Sequence, residues 1–339
     1  MAPTIMAIIA DASSPFFGRL TELSEAHRGD AAEFLIANSA EMFAREHGAE
    51  KLQLVESIVL AVFAGGNAQV VEGLWPLCPN VRWVHSLAAG VDTLLPVLRP
   101  LPRIGEVQIT NAKGAFSRSL AEYCIMAMLH FNKQVPRVQE NKKARRWEKF
   151  EMAELHGKTV GFVGFGDIGQ ATARLCKAFG MKVLALRRNK AEPSEADMVF
   201  GIDDLEERMK VFESSDFIVC SLPGTPETRH FCGANEFAAM KDSAIFISIG
   251  RGVCVDEVAL CEALQSSSIG GAALDVFEKE PLDESSPVWD APNLMLTAHN
   301  ADLTKTYMED TWAVFMKTLE QFRASPGTFR GTVSLERGY

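Results

Sequence analysis

No Cys-x-x-Cys pair occurs in this sequence, although its 339 residues include seven cysteines. Disulfide scaffolds and structural zinc sites need cysteines in even or closely paired sets, and this spacing does not supply them. The odd count and the wide separation therefore argue against both kinds of site. We predict reduced thiols in the core of a cytoplasmic protein, and no bound metal.

The sequence also lacks an apolar run of about 20 residues, which is the length that a membrane-spanning helix needs. Its N-terminal run, from Ile5 to Ala10, ends at Asp11 and has no basic region before it. A first β-strand therefore explains this run better than a signal peptide does. We predict no membrane partner.

Basic residues are in the minority, with 34 Lys and Arg against 44 Asp and Glu, and the net charge is -10. Binding to nucleic acid depends on clustered positive charge. The one basic cluster alternates with glutamates, which indicates a solvated helix face. It comprises Lys142, Lys143, Arg145, Arg146 and Lys149. The charge therefore argues against a nucleic-acid partner.

What the sequence does contain is an alternation of short apolar runs with amphipathic stretches, separated by Gly and Pro. The runs are continuous, which is typical of parallel strands covered on both faces. Four lie in the first part of the chain, at 5–10, 57–63, 82–86 and 107–110, and six in the second, at 159–163, 182–186, 217–221, 244–248, 271–274 and 294–297. At this length, the pattern predicts an α/β protein of two domains.

A glycine-rich loop follows the first of the six later strands. Gly164 is suited to the tight turn, Gly166 admits a pyrophosphate close to the backbone, and Gly169 lets the next helix pack on the strand. The N-terminus of that helix, with Asp167 and Ile168, then faces the phosphates. Because a strand precedes the loop and a helix follows it, a dinucleotide site is favoured over an ordinary glycine turn.

The second strand of such a unit commonly ends in an acidic residue that binds the ribose 2′-hydroxyl of NAD. This sequence has Arg187 and Arg188 at that point instead. A guanidinium binds a 2′-phosphate through charge-assisted hydrogen bonds. We therefore predict a preference for NADP(H). The alternative is that both arginines lie on a solvated loop and NAD(H) binds.

Three further segments complete a recognisable set. They read ISIGRGVCVD at 247–256, ALDVFEKEP at 273–281 and LTAHN at 296–300. In this order and spacing, and together with the glycine loop, the chain resembles the D-isomer-specific 2-hydroxyacid dehydrogenases over nearly its whole length. Each segment follows a predicted strand, which is where open α/β sheets build their sites.

The resemblance implies a catalytic set of Arg251, Glu280 and His299. An imidazole titrates near neutral pH, so His299 suits the acid that protonates the developing alkoxide. Glu280 would hold the other ring nitrogen and favour the imidazolium. Arg251 would bind the substrate carboxylate and polarise the carbonyl. Taken singly, each residue has an ordinary structural explanation, and only the combination favours catalysis.

Further correspondences follow from the same resemblance. Small residues at Ala88, Ala89 and Gly90 would let backbone amides receive the substrate carboxylate, although a plain strand-to-helix turn is the alternative. The segment 111–114 resembles the crossing into the cofactor domain. Additional residues would line the cofactor, namely Ser221, Leu222, Pro223, Ile249 and Asp275.

Trp147 matches a tryptophan on an arm that reaches the partner subunit in some members, and a dimer-core aromatic is the alternative.

The sequence departs from the family after the expected strand. Ala298 stands where the family usually has proline, and Asp302 where it usually has a small residue. With Asn300, Asp302 adds polar groups near the site and puts the usual substrate range in doubt.

We predict a Rossmann-type NAD(P)-binding domain at 115–303 and a flavodoxin-like substrate-binding domain at 1–114 and 304–339, because the last helix would return to the first domain. The active site would lie in the cleft between them. The predicted reaction is the NADPH-preferring reduction of a 2-keto acid, such as glyoxylate or hydroxypyruvate, to the D-2-hydroxy acid. We also predict a homodimer formed through the cofactor domain.

Three alternatives stay open. The first is phosphite oxidation, which uses the same three residues. Formate oxidation is disfavoured, because formate dehydrogenases carry Gln at the position of Glu280. A NAD(H)-sensing corepressor shares the fold, but the two arginines and the lack of long tails count against it. The third alternative is a redox-inactive paralogue whose Asn300 and Asp302 impair the site.

Overall fold

The computed structural model describes residues 3–29, 32–191, 194–324, 329 and 331–339. The chain forms two units, one of residues 1–116 and 305–339 and the other of residues 117–304. Each unit is built on its own parallel sheet. This is the predicted α/β class, a two-domain fold with a doubly wound second sheet, and it is confirmed.

The first unit contains the strands β1 (Thr4–Ile9), β2 (Ala32–Ala37), β3 (Ser57–Leu60), β4 (Trp83–Ser86) and β5 (Gln108–Asn111). Its helices are α1 (Phe17–Ala26), α2 (Ala40–His47), α3 (Ala49–Leu52), α4 (Val70–Leu74), α5 (Leu95–Leu98) and α12 (Tyr307–Ala324). The strands are all parallel and run in the order β2–β1–β3–β4–β5. That is the winding of flavodoxin-like sheets.

Helix α12 packs on this sheet through aromatic side chains. The ring of Trp83 stacks on Phe315 and Phe322, with centroids 5.6 and 5.1 Å apart. Phe315 is fully buried, and such aromatic pairs add to the free energy gained by burial alone. The hydroxyl of Thr311 also donates to the carbonyl of Leu87, at 2.8 Å. The last helix is therefore an integral part of the first unit.

Strand β2 was absent from the predicted strands. Its sequence, AEFLIA, is interrupted by Glu33, whose carboxylate pairs with Lys51 of α3 at the surface. The charged residue breaks the apolar run on which the prediction relied. Between β3 and β4, α4 covers Val70–Leu74 and a 3-10 turn covers Trp75–Leu77.

The second unit contains β6 (Thr159–Val163), β7 (Lys182–Arg187), β8 (Met198–Gly201), β9 (Phe217–Cys220), β10 (Ile245–Ser248), β11 (Gly271–Leu274) and β12 (Leu294–Leu296). Its helices are α6 (Ser117–Asn132), α7 (Val135–Lys143), α8 (Asp167–Ala178), α9 (Leu205–Ser214), α10 (Ala234–Ala239) and α11 (Glu257–Gln265). The parallel strands run in the order β12–β11–β10–β9–β6–β7–β8. The order reverses at β6, which is where such sheets bind ligands.

The sequence predicted six strands here, and that number is wrong because β8 is a seventh. It lies at the sheet edge and is only partly buried. An edge strand with one partner needs no continuous apolar run, so periodicity did not reveal it. The central strands β9, β10 and β11 are fully buried, and their apolar runs match the prediction.

The basic cluster was predicted to lie on one helix face, and this is also wrong. Helix α7 ends at Lys143, and Arg145 has a positive φ of 52°. Arg145, Arg146 and Lys149 therefore lie beyond the helix, on an exposed stretch. The seven cysteines, in contrast, are all free and buried, as predicted. Among the helices of the described residues, none has the length and apolar character that crossing a bilayer requires.

Candidate functional site

The glycine loop connects β6 to α8 in a conformation that only glycine adopts easily. Gly164 has a φ of 88°, and a Cβ there would lie 3.1 Å from the Leu222 side chain. The hydroxyl of Ser221, at the end of β9, donates to the carbonyl of Gly164 at 3.0 Å. The residues predicted to line the cofactor at the ends of β6 and β9 therefore lie side by side.

The first turn of α8 presents backbone donors to open space. Its N-cap is Gly166, which has no side chain to cap the helix, and a Cβ there would meet nothing within 4 Å. A Cβ at Gly169 would instead lie 3.0 Å from Phe165, which is the close packing that the third glycine permits. The open, positively polarised helix end fits a pyrophosphate. Gly164, Gly166, Asp167 and Ile168 are the residues that would hold it.

Strand β7 ends in the two predicted arginines. Arg187 is half-buried and pairs with Gly201 of β8, while Arg188 is exposed. The pKa of the Glu227 carboxyl is lowered by hydrogen bonds from its own backbone and from Thr225, and further by the charge of Arg188. Arg188 therefore lies close to the turn at Pro226–Thr228. Strand β7 thus ends in Arg187 instead of the carboxylate that commonly binds a ribose 2′-hydroxyl.

Arg251 lies just after β10, on a segment pressed against two neighbouring loops. A Cβ at Gly250 would lie 2.5 Å from the Leu222 carbonyl, and one at Gly252 would lie 1.8 Å from the carbonyl carbon of Phe277. The guanidinium donates to the carbonyl of Gly250 at 2.9 Å. The two glycines thus bring the arginine segment into contact with the cofactor loop on one side and the glutamate segment on the other.

Glu280 and His299 are hydrogen-bonded to each other. Oε2 of Glu280 lies 2.6 Å from Nδ1 of His299, and Oε1 accepts from the amide of Phe277 at 2.9 Å. The two side chains are 34% and 39% exposed, so the pair is open on one side. Because Nδ1 is engaged, its proton faces the carboxylate and Nε2 is the nitrogen available to a ligand.

The loop that carries His299 is held by Asp275, which is almost fully buried at the end of β11. Its carboxylate accepts from Thr297 Oγ1 at 2.6 Å and from the amides of Asn300 and Ala301, both at 3.1 Å. Its backbone carbonyl accepts from the His299 amide at 2.8 Å. His299 itself has a φ of 49°, a strained value for a non-glycine residue that these bonds maintain.

From the sequence, Asp275 was predicted to line the cofactor, and its contacts with the His299 loop were not predicted. The Tyr123 hydroxyl of α6, 2.8 Å from Thr297 Oγ1, extends the same network and was not singled out at all. Neither contact was visible in the sequence, because Tyr123 reads as one more residue of an apolar helix. A buried aspartate directly after an apolar strand was the one available signal.

Asp302, the departure noted in the sequence, lies two residues beyond Asn300 and is half-buried. Burial raises the pKa of its carboxyl, although the charges of His299 and Arg251 act in the opposite direction. Its backbone carbonyl accepts from the Thr304 amide at 2.9 Å. The Asn300 side chain, in contrast, is exposed. Of the two unusual polar residues, Asp302 is the one electrostatically linked to the predicted catalytic residues.

The loop of Ala88, Ala89 and Gly90 belongs to the first unit and follows β4. Two of its carbonyl groups accept hydrogen bonds from the end of β5 and the residue that follows it. Asn111 Nδ2 donates to the carbonyl of Ala89 at 2.5 Å, and the Ala112 amide donates to that of Ala88 at 3.2 Å. Ala89 is exposed, with its side chain no larger than a methyl group. The loop is thus anchored through its backbone.

Comparison with known proteins agrees with this arrangement. Residues 125–301 match the NAD binding domain of the D-isomer specific 2-hydroxyacid dehydrogenases. The chain is 31% identical to a glyoxylate reductase of Thermococcus gammatolerans, over 77% of each chain. It is 36% identical to a D-3-phosphoglycerate dehydrogenase of Methanocaldococcus jannaschii, over 76% of this chain and 49% of that one. It spans about half the length of this protein and of its counterpart from Archaeoglobus fulgidus.

Solved structures give the same result. An NADPH-dependent glyoxylate/hydroxypyruvate reductase of Sinorhizobium meliloti, in complex with NADP and sulfate, superposes with a TM-score of 0.77 at 25% identity, covering 100% of both chains. A family protein of Aeromonas salmonicida superposes at 0.78 and 29% identity, over 98% of this chain and 100% of that one. Fold and glycine loop define a protein that binds a nicotinamide dinucleotide. The chain belongs to the D-isomer-specific 2-hydroxyacid dehydrogenase family.

Proposed function

We propose that this protein is an NAD(P)-dependent oxidoreductase that reduces a 2-keto acid to the D-2-hydroxy acid and prefers NADPH. The observation that carries the proposal is the hydrogen bond between Glu280 and His299, 2.6 Å long. The two residues follow β11 and β12, which lie in succession beside β10, the strand preceding Arg251. An imidazole held by a carboxylate can protonate an alkoxide, and a guanidinium can bind the substrate carboxylate next to it.

Each residue has a distinct task in the proposed reaction. When bound, the reduced cofactor supplies the hydride that adds to the carbonyl carbon. Arg251 binds the substrate carboxylate and draws electron density toward the carbonyl oxygen. His299 donates its Nε2 proton to that oxygen, and Glu280 holds Nδ1 so that the ring keeps its orientation. One hydride and one proton thus convert the carbonyl to a CH–OH group.

The preference for NADPH rests on Arg187 and Arg188, which end β7 where NAD-specific sheets commonly carry an acid. A guanidinium gains charge-assisted hydrogen bonds from a 2′-phosphate that a 2′-hydroxyl does not offer. The Sinorhizobium meliloti reductase, whose structure contains NADP, supports the same choice.

For the substrate we propose a short 2-keto acid of the glyoxylate or hydroxypyruvate kind, as the names of the Thermococcus and Sinorhizobium proteins suggest. Because the matched archaeal proteins of twice this length are D-3-phosphoglycerate dehydrogenases, a phosphorylated hydroxypyruvate belongs in the same panel.

Absorbance at the reduced-nicotinamide band, with NADPH or NADH and this panel of keto acids, tests the proposal. We expect faster oxidation of NADPH than of NADH. His299→Ala should remove turnover by a factor on the order of 10² to 10⁴, while His156→Ala, an exposed histidine of the same unit, should leave it unchanged. Cofactor binding without oxidation by any keto acid would overturn the enzymatic proposal and favour a binding role.

We further propose a homodimer formed through the second unit. Trp147 is 94% exposed in the single chain, an extreme value for an indole. The stretch around it is held by local contacts, including Arg137 over the Phe150 ring and an ion pair of 3.0 Å between Arg137 and Glu148. Light scattering should give twice the chain mass, and Trp147→Ala should weaken the association. A monodisperse monomer at micromolar concentration would disprove the dimer.

A further inference from the structure

We propose that His230 is a positioning residue, one that ties the arginine segment to the glutamate segment and thereby holds Glu280 against His299. The inference rests on the proposed function, because it assigns His230 a part in the same reaction. His230 was not among the residues that the sequence analysis selected. We infer that it acts through Glu278, which its ring contacts, and not by touching the substrate itself.

His230 is fixed first through its backbone. It follows the 3-10 turn at Pro226–Thr228, and its amide donates to the carbonyl of Val253 at 2.8 Å, two residues beyond Arg251. Its φ is 49°, a conformation that costs free energy in any residue but glycine. A conformation of this kind persists only where the surrounding contacts maintain it, so the ring contacts become the next question.

The ring of His230 is bonded to an acid of the glutamate segment. Its Nε2 is hydrogen-bonded to Oε1 of Glu278, and the guanidinium of the neighbouring Arg229 forms an ion pair with the same carboxylate oxygen, at 3.1 Å. On the other side of the ring, Nδ1 lies 3.9 Å from the carboxylate of Asp256. Two adjacent residues of one loop therefore hold a single carboxylate, two positions before Glu280.

The backbone of the glutamate segment has little freedom to move. The amide of Glu278 donates to Oε1 of Glu257, the first residue of α11, at 2.6 Å. The peptide between Phe277 and Glu278 lies so close to Gly252 that a Cβ there would lie 1.8 Å from it. The amide of Phe277, which belongs to the preceding peptide, donates to Glu280. A displacement of the backbone at Phe277 therefore changes the position of the Glu280 carboxylate.

These contacts form one path in which hydrogen bonds alternate with stretches of covalent structure. It runs from Val253 through His230 to Glu278, then along the peptide to Glu280 and on to His299. Without the His230 ring, one of the two side chains that restrain Glu278 is lost. Glu280 then samples more rotamers, and His299 loses its Nδ1 partner for part of the time. Misplacement of a catalytic group by about 1 Å is enough to cost a factor of 10².

The test compares His230→Ala and His230→Gln with the wild-type protein, and with His156→Ala as the matched exposed histidine. A glutamine amide can still donate to Glu278, whereas alanine cannot. Nitrogen-15 NMR of the imidazoles reports which ring nitrogen of His299 is protonated, with no need for turnover. At an alkaline pH, where the imidazole is neutral, we expect the Nδ1-protonated tautomer in the wild type and in His230→Gln, and a mixture of tautomers in His230→Ala.

Kinetics give the second measurement. In His230→Ala, kcat for the keto acid should fall on the order of tenfold to a hundredfold, with KM for NADPH unchanged, and His230→Gln should recover most of the loss. Unchanged His299 tautomers in His230→Ala, or an equal loss in both variants, would overturn the inference. If the wild type turns over no keto acid, the proposed function fails, and the NMR comparison still decides the role of His230.

Discussion

The two sheets end in loops of opposite chemical character. At the carboxyl edge of the seven-stranded sheet the loops carry ionisable side chains, namely Arg251, Glu280 and His299, and a buried aspartate orders the loop of His299. At the end of β4 in the five-stranded sheet the loop carries Ala88, Ala89 and Gly90, anchored by its carbonyl groups. One edge offers side-chain chemistry and the other offers backbone. Substitutions should therefore reduce catalytic activity far more in the second unit than in the first.

After His299→Ala, the largest effect should follow from Arg251→Lys. A lysine keeps the charge but loses the planar, two-pronged donor that matches a carboxylate. We expect kcat/KM for the keto acid to fall on the order of a hundredfold, mostly through KM, with cofactor binding intact. Steady-state kinetics and NADPH titration measure the two quantities separately. A loss below about threefold would show that the guanidinium geometry is not used.

The next effect concerns the cofactor side of the same unit. Arg187→Asp places a carboxylate where a 2′-phosphate would lie, so the dissociation constant for NADPH should rise on the order of a hundredfold. That for NADH should change little or fall. Fluorescence titration with both cofactors checks this, with Arg174→Asp as a control because Arg174 lies at the surface of α8 and pairs with Glu195. Equal weakening of both cofactors would contradict the assignment.

In the first unit the largest expected effect is on stability. Burial lowers the pKa of His85 to about 3, from an ordinary value of 6.5, so the folded state keeps this ring neutral. Below pH 6.5 the unfolded chain binds a proton that the folded unit rejects. The stabilisation is therefore complete above pH 6.5 and is lost progressively down to about pH 3, and it amounts to several kcal/mol.

Urea unfolding at a series of pH values measures this dependence. His85→Gln cannot titrate and retains a group able to bond with Thr110, whose Oγ1 lies 2.7 Å from Nδ1 of His85. Its free energy of unfolding should vary less between pH 6.5 and 4 than that of the wild type. Identical slopes in the two proteins would show that His85 does not control acid stability.

The smallest effect should come from the anchor of the substrate loop. Asn111→Ala removes the hydrogen bond to the Ala89 carbonyl, worth about 1 kcal/mol. If the loop amides receive the substrate carboxylate, KM for the keto acid should rise about fivefold with kcat nearly unchanged. Steady-state kinetics at saturating NADPH decide the matter. A loss of kcat/KM equal to that of Arg251→Lys would break the contrast between the two edges.

The sequence was sufficient for the parts of the molecule that depend on strong periodicity or on fixed motifs. Continuous apolar runs located the buried strands β9 to β11, and the glycines located the turn before α8. Strands β2 and β8 were missed because they lie at sheet edges, where a strand has a single partner and can be partly exposed. Such strands need no continuous apolar run, so the pattern that located the buried strands is missing from them. The family resemblance implied that Glu280 holds a ring nitrogen of His299, and Oε2 of Glu280 lies 2.6 Å from Nδ1 of His299.

The residues that escaped sequence analysis are those that hold other residues in place. The hydrogen bonds of Asp275 to the His299 loop, and those of His230 to Val253 and Glu278, join segments that lie 22 to 48 positions apart. Such contacts depend on how parallel strands bring separate loops to one edge. No local pattern in the sequence encodes them, because each partner reads as an ordinary turn or strand-end residue.

The return of α12 to the first unit also has a consequence during synthesis. Domains fold as units, with the N-terminal part of a chain emerging first. The five strands of the first unit are complete by Asn111, yet Trp83 and Phe34 have their aromatic partners on α12, which begins at Tyr307. About 190 residues must therefore leave the ribosome before these apolar surfaces are covered. The continuous second unit can finish folding first, while the first waits, exposed to chaperones, for the last helix.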